Sequence, residues 1–234
     1  MRAVFGREFR SYFTNIVGYV FIALFLFLSG ILFSFYNVYG EIANLSYIFN
    51  GLSGLLTVMI PLLTMKLFAE DKKNHVDTLL YTSPISLGSI VLGKFLAALC
   101  VLLATLAVTL IYPAIGSFWG QLPMAETLVG YLGFILLCAT LISMGLFISS
   151  ISENQLAACI ATFGVFLLLW LGDGLAPNIN ESALFDAISS ISIFSHFSKF
   201  TMGILSVSSI VYLLSITGMF LVFTRLILSK RKCC

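Results

Sequence analysis

Charged residues are scarce in this sequence. Of its 234 residues, 9% are charged and 60% are hydrophobic, and the mean hydropathy is +1.08. Soluble domains carry roughly 25% charged residues, and a chain of this size needs a polar surface that such a composition does not supply. The composition therefore excludes a soluble protein and predicts a single integral membrane domain over residues 1–234.

The sequence also lacks the patterns that pair cysteines, bind metals or bind nucleic acid. Its five cysteines have neither a disulfide-framework spacing nor a metal-ligand spacing. The formal net charge of +2 is too small and too scattered for nucleic-acid binding. Cys233 and Cys234 leave two interpretations open, an acylation site and an unmodified tail, because they form no C-a-a-X motif.

Groups for ATP hydrolysis and for proton transfer within a membrane are missing too. The sequence has no G-x-x-x-x-G-K-[ST] motif, so we expect no ATP site. The middle of every hydrophobic run lacks Asp, Glu, Lys, Arg and His, which form proton relays and ion sites in membrane proteins. We therefore expect a protein that is not an enzyme, holds no cofactor and takes any ATP-derived energy from a partner.

Six hydrophobic runs reach or approach the about 20 residues that a helix needs to cross a bilayer. They predict spans 1 to 6 at Ile16–Tyr39, Leu52–Phe68, Ile90–Tyr112, Thr127–Ser149, Gln155–Leu171 and Ser208–Leu228. Spans 2 and 5 are short, so Lys66 near the end of span 2 must extend toward the interface. Span 1 exceeds the roughly 7 to 15 apolar residues of a signal peptide, and we expect it to stay in the mature protein.

The distribution of basic residues predicts the orientation of the spans. Cytoplasmic loops are enriched in Lys and Arg. With six spans and a cytoplasmic N terminus, every one of the twelve Lys and Arg residues except Lys199 lies on the cytoplasmic side. We therefore predict a multi-pass protein whose N and C termini are both cytoplasmic.

Three segments outside the spans have amphipathic patterns. Residues 1–15 place apolar side chains at helical spacing, which fits either an interfacial anchor or an elbow helix packed beside the spans. Residues 69–83 combine charges with an apolar side and favour a short docking helix, after which Ser86 caps span 3. In residues 172–207 apolar side chains recur every three or four positions, which predicts one or two short amphipathic or re-entrant helices.

The loop between spans 2 and 3 has the most specific motifs. They are Phe68-Ala69-Glu70-Asp71-Lys72-Lys73, Asp77-Thr78-Leu79-Leu80, Ser83-Pro84-Ile85-Ser86 and Leu92-Gly93-Lys94. Together they resemble the F-A-E-E-K-x-x-G-T-[IL]-E-L-L…P-[VIL]-S…L-G-K signature of type-2 ATP-binding-cassette (ABC) transporter permeases. Asp77 departs from that signature, which commonly has glycine there.

The resemblance extends over the whole chain. It includes an N-terminal R-E-F segment and the six spans. The stretch from Phe197 to Ile204, followed by Ile210-Val211-Tyr212, is similar to the permeases of gliding-motility and related multi-component exporters. The fold that this resemblance implies is an all-α integral membrane domain with six transmembrane helices, an elbow helix and a coupling helix.

The family resemblance also implies partners and a site. Two permease subunits, identical or different, would join two cytoplasmic ATPases that bind ATP and Mg, in a cell membrane and in contact with its lipid. The loop would be a coupling helix seated in a cleft of the ATPase. The residues implied for this contact are Glu70, Asp71, Lys72, Lys73, Asp77, Thr78, Leu79 and Leu80.

Two functions remain open from the sequence. The first is the permease of an ABC exporter that moves a substrate outward at a dimer interface. The second is a non-transporting membrane subunit that relays ATPase motion to an envelope machine. The missing intramembrane charges argue against a third, a carrier or enzyme that acts alone. The sequence does not identify a substrate.

Overall fold

A computed structural model describes residues 2–40, 44–73, 86–118, 123–175 and 192–233. Within those ranges every regular element is a helix, which confirms the predicted all-α integral membrane fold. The helices are Arg2–Thr14, Ile16–Phe33 with a π-helical continuation Ser34–Tyr39, Ser46–Thr64, Lys66–Lys73, Leu87–Thr109, Ile111–Gly116, Met124–Ile151, Gln155–Leu175, Ile193–Thr201 and Val207–Cys233.

Six stretches of helix among the described residues are long and apolar enough to cross a membrane. Spans 1 to 6 occupy Ile16–Tyr39, Ser46–Lys72, Leu87–Gly116, Met124–Ile151, Gln155–Gly174 and Val207–Lys230. The chain is therefore a multi-pass membrane protein, as predicted from its hydrophobic runs.

Spans 2 and 5 are longer than the sequence predicted. Span 2 begins at Ser46 rather than Leu52, because polar residues at its start bond to another helix. Ser46 Oγ donates to the Thr201 carbonyl at 2.6 Å, and Asn50 Nδ2 donates to Thr201 Oγ1 at 3.3 Å. These bonds allow polar side chains inside a membrane helix, where hydrogen-bonding groups need protein partners.

Spans 2 and 4 form the centre of the bundle, whereas spans 1, 5 and 6 are mostly exposed on its outside. Aromatic side chains connect the centre to its neighbours. The ring of Phe134 on span 4 lies 6.3 Å from the ring of Phe25 on span 1 and 6.1 Å from that of Phe197. Such edge-to-face contacts add directional packing to the burial of apolar surface.

The outer helix, Ile193–Thr201, is the described part of the segment predicted between spans 5 and 6. Ser192 caps its first turn by accepting from the Ser195 N–H, and the Ser192 hydroxyl also donates to Asp173 Oδ1 at 2.6 Å. The helix ends before Gly203, whose φ of +75° is in the left-handed region that favours glycine. Residues 176–191 lie outside the described part of the chain.

Gly133 on span 4 allows the outer helix to pack closely. A Cβ at this position would lie 2.3 Å from Phe200 Cβ, and Phe200 is fully buried. The nearest atom is the Phe200 Cβ, which is bonded to the backbone and cannot turn away by rotation of the side chain. We expect this contact to fix the position of the outer helix against the bundle.

We predict that Gly133→Ala destabilises the protein by about 1–3 kcal/mol, because overpacking forces helices apart. The matched control is Gly164→Ala on span 5, where a Cβ meets no atom within 4 Å. It should be neutral or stabilising by up to about 1 kcal/mol, since alanine favours helix over glycine. Denaturant unfolding of the purified protein in mild detergent measures both. Equal effects of the two substitutions would contradict the close contact.

Candidate functional site: an ion-paired cluster at the base of the span 2–3 loop

The helix Lys66–Lys73 contains four of the eight residues predicted to contact the ATPase. Glu70, Asp71 and Lys72 lie on its second half, and Lys73 is its last residue. The structure brings these residues to one end of the bundle, directly before the loop between spans 2 and 3. The other four predicted residues, Asp77, Thr78, Leu79 and Leu80, lie outside the described residues, as does most of the predicted coupling helix 69–83.

A break at Met65 separates this short helix from the first part of span 2. The Met65 N–H donates to the Pro61 carbonyl and closes the preceding helix. The new helix then starts with N–H groups that have no carbonyl one turn earlier. Ser149 at the end of span 4 supplies the acceptor, because its hydroxyl oxygen lies 3.2 Å from the Phe68 nitrogen and 3.3 Å from the Ala69 nitrogen. Ser149 therefore caps the helix from a different span.

Lys72 makes the reciprocal contact with span 4. Its ammonium donates to the carbonyls of Ser150 and Ser152, the latter at 2.7 Å. Both carbonyls lie at the C-terminal end of span 4, where helix carbonyls lack partners and a cation is favourable. The helix Lys66–Lys73 and the C-terminal end of span 4 thus cap one another.

Lys94 on span 3 is the centre of an ion-paired cluster formed by Arg7, Glu8, Asp71 and Lys94. The Lys94 side chain is only 1% exposed. Its Nζ lies 3.0 Å from Glu8 Oε1 and 2.6 Å from Asp71 Oδ2, and it donates to the Leu67 carbonyl. Three chain segments therefore meet at one ammonium group.

Arg7 completes the cluster by contacting the same two carboxylate oxygens. Its Nη2 lies 2.5 Å from Glu8 Oε1 and 3.5 Å from Asp71 Oδ2. The cluster thus combines two cations with two anions, so that no net charge is buried. Burial alone would lower the pKa of Arg7, but its hydrogen bond to Glu8 and the charges of Glu8 and Asp71 raise that pKa above its ordinary value.

Apolar and hydrogen-bonding contacts hold the N-terminal helix Arg2–Thr14 in place beside the cluster. Val4 is buried against Gly93, where a Cβ would meet Val4 Cγ1 at 3.1 Å. The buried Tyr12 hydroxyl donates to the Leu63 carbonyl of span 2 at 2.9 Å. Burial, together with the charges of Glu8 and Glu70, raises the pKa of Tyr12 well above its usual range. The phenol therefore remains a neutral donor.

A cavity of about 220 Å³ lies between the N-terminal helix and the helix Lys66–Lys73. Five charged side chains line it, namely Arg7, Glu8, Lys66, Glu70 and Asp71. Within the described ranges, no three His, Cys, Asp or Glu residues are grouped as metal ligands.

The ion-paired cluster joins three segments of the chain, and the contacts of Ser149 and Lys72 add span 4 as a fourth. An ammonium group in an apolar interior requires counter-charges, because its desolvation costs several kcal/mol. Lys94 receives them from the N-terminal helix and from the end of span 2, while Ser149 and Lys72 fix that end to span 4. The last described turns of span 2 are therefore bonded to both span 3 and span 4.

Sequence reasoning did not assign a site role to Arg7, Glu8, Lys94 or Ser149. Lys94 is part of the Leu92-Gly93-Lys94 motif, but its basic charge contributed only to the orientation of the spans. Its position within a hydrophobic run could have indicated a site, since a charged residue in a membrane span normally pairs with another charged or polar group. Nothing local in the sequence identifies Glu8, 86 positions away, as that partner.

Comparison with known families gives a match over most of the chain. A family model described as "ABC-2 family transporter protein" matches residues 21–229. The match includes all of spans 2 to 5, the helix Lys66–Lys73 and Lys94. No curated protein matches the chain.

We predict that Lys94→Met destabilises the protein by about 3–5 kcal/mol, because it leaves the two carboxylates of Glu8 and Asp71 with Arg7 as their one remaining counter-charge. Adding Asp71→Asn to this variant should recover part of the loss, since it removes one of the unpaired charges. Denaturant unfolding in mild detergent provides the free energies.

Lys66→Met is the control for this experiment. Lys66 is partly exposed, and its Nζ lies 3.9 Å from Glu70 Oε2. Loss of this ion pair should lower the free energy of unfolding by at most about 1 kcal/mol. If Lys94→Met and Lys66→Met cost the same, the Lys94 ion pairs do not hold the segments together.

Proposed function

The chain belongs to the ABC-2 family of transporter proteins, and from that membership we propose that it is the permease subunit of an ABC exporter. It is a transmembrane subunit of an ABC transporter. We propose further that it moves a substrate outward across a cell membrane, at the interface with a second permease subunit. A separate cytoplasmic ATPase would bind ATP and Mg and supply the energy.

The proposed orientation places the ion-paired cluster on the cytoplasmic side. The helix Arg2–Thr14, the helix Lys66–Lys73 and the end of span 6 lie at one end of the bundle. Among them they hold most of the basic residues of the chain, which supports a cytoplasmic location by the positive-inside rule. The outer helix would then face the other side of the membrane.

The proposed coupling site is the loop that starts at Lys73. In this proposal the ATPase contacts Glu70, Asp71, Lys72 and Lys73 at the end of span 2, and Asp77, Thr78, Leu79 and Leu80 in the loop beyond. The observation that supports it is the connection of that end of span 2 to Lys94 on span 3 and Ser149 on span 4. Force applied to the loop has a direct route into the bundle.

The proposed transport cycle uses this connection between the end of span 2 and spans 3 and 4. ATP binding would bring two ATPases together, and their motion would push on the loops of the two permease subunits. Each bundle would then rock as a unit around the dimer interface, which shifts the equilibrium between inward-open and outward-open states. Substrate would leave near the segment 172–207.

Transport between two subunits, rather than through one bundle, is supported by the interior of the spans. Buried hydroxyls such as those of Ser143 and Thr162 donate to carbonyls one turn earlier in their own helices, both at 2.7 Å. Hydroxyls bonded in this way are satisfied without water. Hydroxyls of this kind in the described spans do not form a polar pathway for a hydrophilic substrate.

Copurification tests the proposed function. The tagged chain is expressed together with its neighbouring genes, purified in mild detergent, and analysed by mass spectrometry and a vanadate-sensitive ATPase assay. We expect a stoichiometric ATP-binding-cassette ATPase. Recovery of the chain without any nucleotide-hydrolysing partner in several detergents would contradict the proposal. An ATPase partner without energy-dependent movement of any substrate class into vesicles would favour the alternative, a subunit that relays motion to an envelope machine.

We predict that the double variant Lys73→Glu/Asp77→Arg uncouples the permease from its ATPase. Reversing both charges should reduce ATPase copurification by at least about tenfold, since like charges placed opposite one another across an interface cost several kcal/mol. Quantitative mass spectrometry of the purified complex measures the ratio.

The control for this variant is Lys230→Glu, which reverses one exposed charge at the same end of the bundle. It should leave the ratio of ATPase to permease unchanged. Unchanged copurification and transport in the double variant would show that the coupling site lies elsewhere.

A further inference from the structure

A shallow groove lies between the start of span 3 and the end of span 6. Its volume is about 170 Å³, and it is lined by Gly88, Val91, Leu92, Leu221, Val222 and Arg225. All of these residues except Arg225 are apolar or glycine. The groove is at the same end of the bundle as the ion-paired cluster but on its outer surface.

Arg225 is the single charged side chain among the described residues that line the groove. No acidic side chain in the described ranges lies within ion-pair distance of it, in contrast to Lys94, which has two. Its aliphatic stem lies over Gly88, where a Cβ would be 3.9 Å from Arg225 Cδ. The absence of a side chain at Gly88 thus leaves space beside the guanidinium group.

The apolar part of the groove opens to the surroundings of the protein. Leu92 is 41% exposed and Val222 is 55% exposed, and both lie within membrane spans. Exposed apolar side chains on a membrane span are suited to contact the acyl chains of lipid. A cation at one end and an apolar lining along the rest match the two parts of an anionic phospholipid.

We propose that this groove binds one anionic phospholipid from the leaflet at the N-terminal end of the bundle. The phosphate would accept hydrogen bonds from the planar guanidinium of Arg225, which suits phosphate oxygens better than a lysine ammonium does. An acyl chain would lie against Val91, Leu92 and Val222. The net negative charge of the headgroup would supply the counter-charge that no described side chain provides.

Charge decides which lipid class is favoured. A zwitterionic headgroup carries its own cation beside the phosphate, which competes with Arg225. An anionic headgroup has no such competitor, and each basic residue near an anionic membrane surface contributes on the order of 1 kcal/mol. The groove should therefore prefer phosphatidylglycerol to phosphatidylcholine.

Native mass spectrometry of the full chain in mild detergent tests the proposal. Wild type, Arg225→Gln and Lys230→Gln are titrated separately with phosphatidylglycerol and with phosphatidylcholine. Wild type should retain one phosphatidylglycerol molecule in preference to phosphatidylcholine. Arg225→Gln should weaken this retention about fivefold, whereas Lys230→Gln, which removes an exposed charge of the same helix outside the groove, should leave it nearly unchanged.

A second variant tests the groove without changing charge. Gly88→Leu extends a side chain into the groove, and we expect it to weaken phosphatidylglycerol retention by a similar factor. Melting temperatures of all variants in phosphatidylcholine confirm that each is folded.

Four results would overturn the proposal. Equal losses for Arg225→Gln and Lys230→Gln would indicate general surface charge. Equal retention of the two lipids by wild type would indicate ordinary solvation of an exposed arginine. Displacement of the lipid by millimolar inorganic phosphate would indicate a site for small anions. Lipid binding to the monomer but not to the dimer would indicate that a second copy of the chain covers the groove, which would then be a protein interface.

Discussion

The burial of the Lys94 ammonium group is the constraint on which one end of this protein depends. An ammonium group inside an apolar bundle is stable only beside counter-charges, and span 3 has none of its own. Glu8 and Asp71 supply them from two other segments. The N-terminal helix and the end of span 2 must therefore meet at span 3, and their positions relative to each other follow from one buried charge.

The two ends of the bundle are held together by different interactions. At the end near the loop, charged groups and helix caps connect spans 2, 3 and 4. At the other end, the outer helix packs its aromatic side chains on span 4, and Ser192 bonds to Asp173. Ionic contacts join a few groups in a fixed geometry, whereas aromatic packing spreads over a broad apolar surface.

Hydropathy predicted the spans well because crossing a bilayer imposes a minimum length on any apolar helix. The cap of span 3 was also predictable, since Ser86 accepts from the Ser89 N–H within a single turn. The start of span 2 was not, because Ser46 and Asn50 read as polar while their partner Thr201 is about 150 positions away. The ion-paired cluster escaped prediction for the same reason: its contacts join Glu8 to Lys94 across 86 positions.

The need of a charge in a membrane span for a counter-charge explains why Lys94 and Arg225 have such different surroundings. Both are cations within membrane spans on the same end of the bundle, and both need an anion. Lys94 faces the interior, where lipid has no access, so the protein must provide the carboxylates from its own chain. Arg225 faces outward, where the bilayer itself contains anions, and a protein carboxylate there would have to be desolvated as well. Where a span carries a charge, the direction of its side chain thus decides whether the partner is protein or membrane.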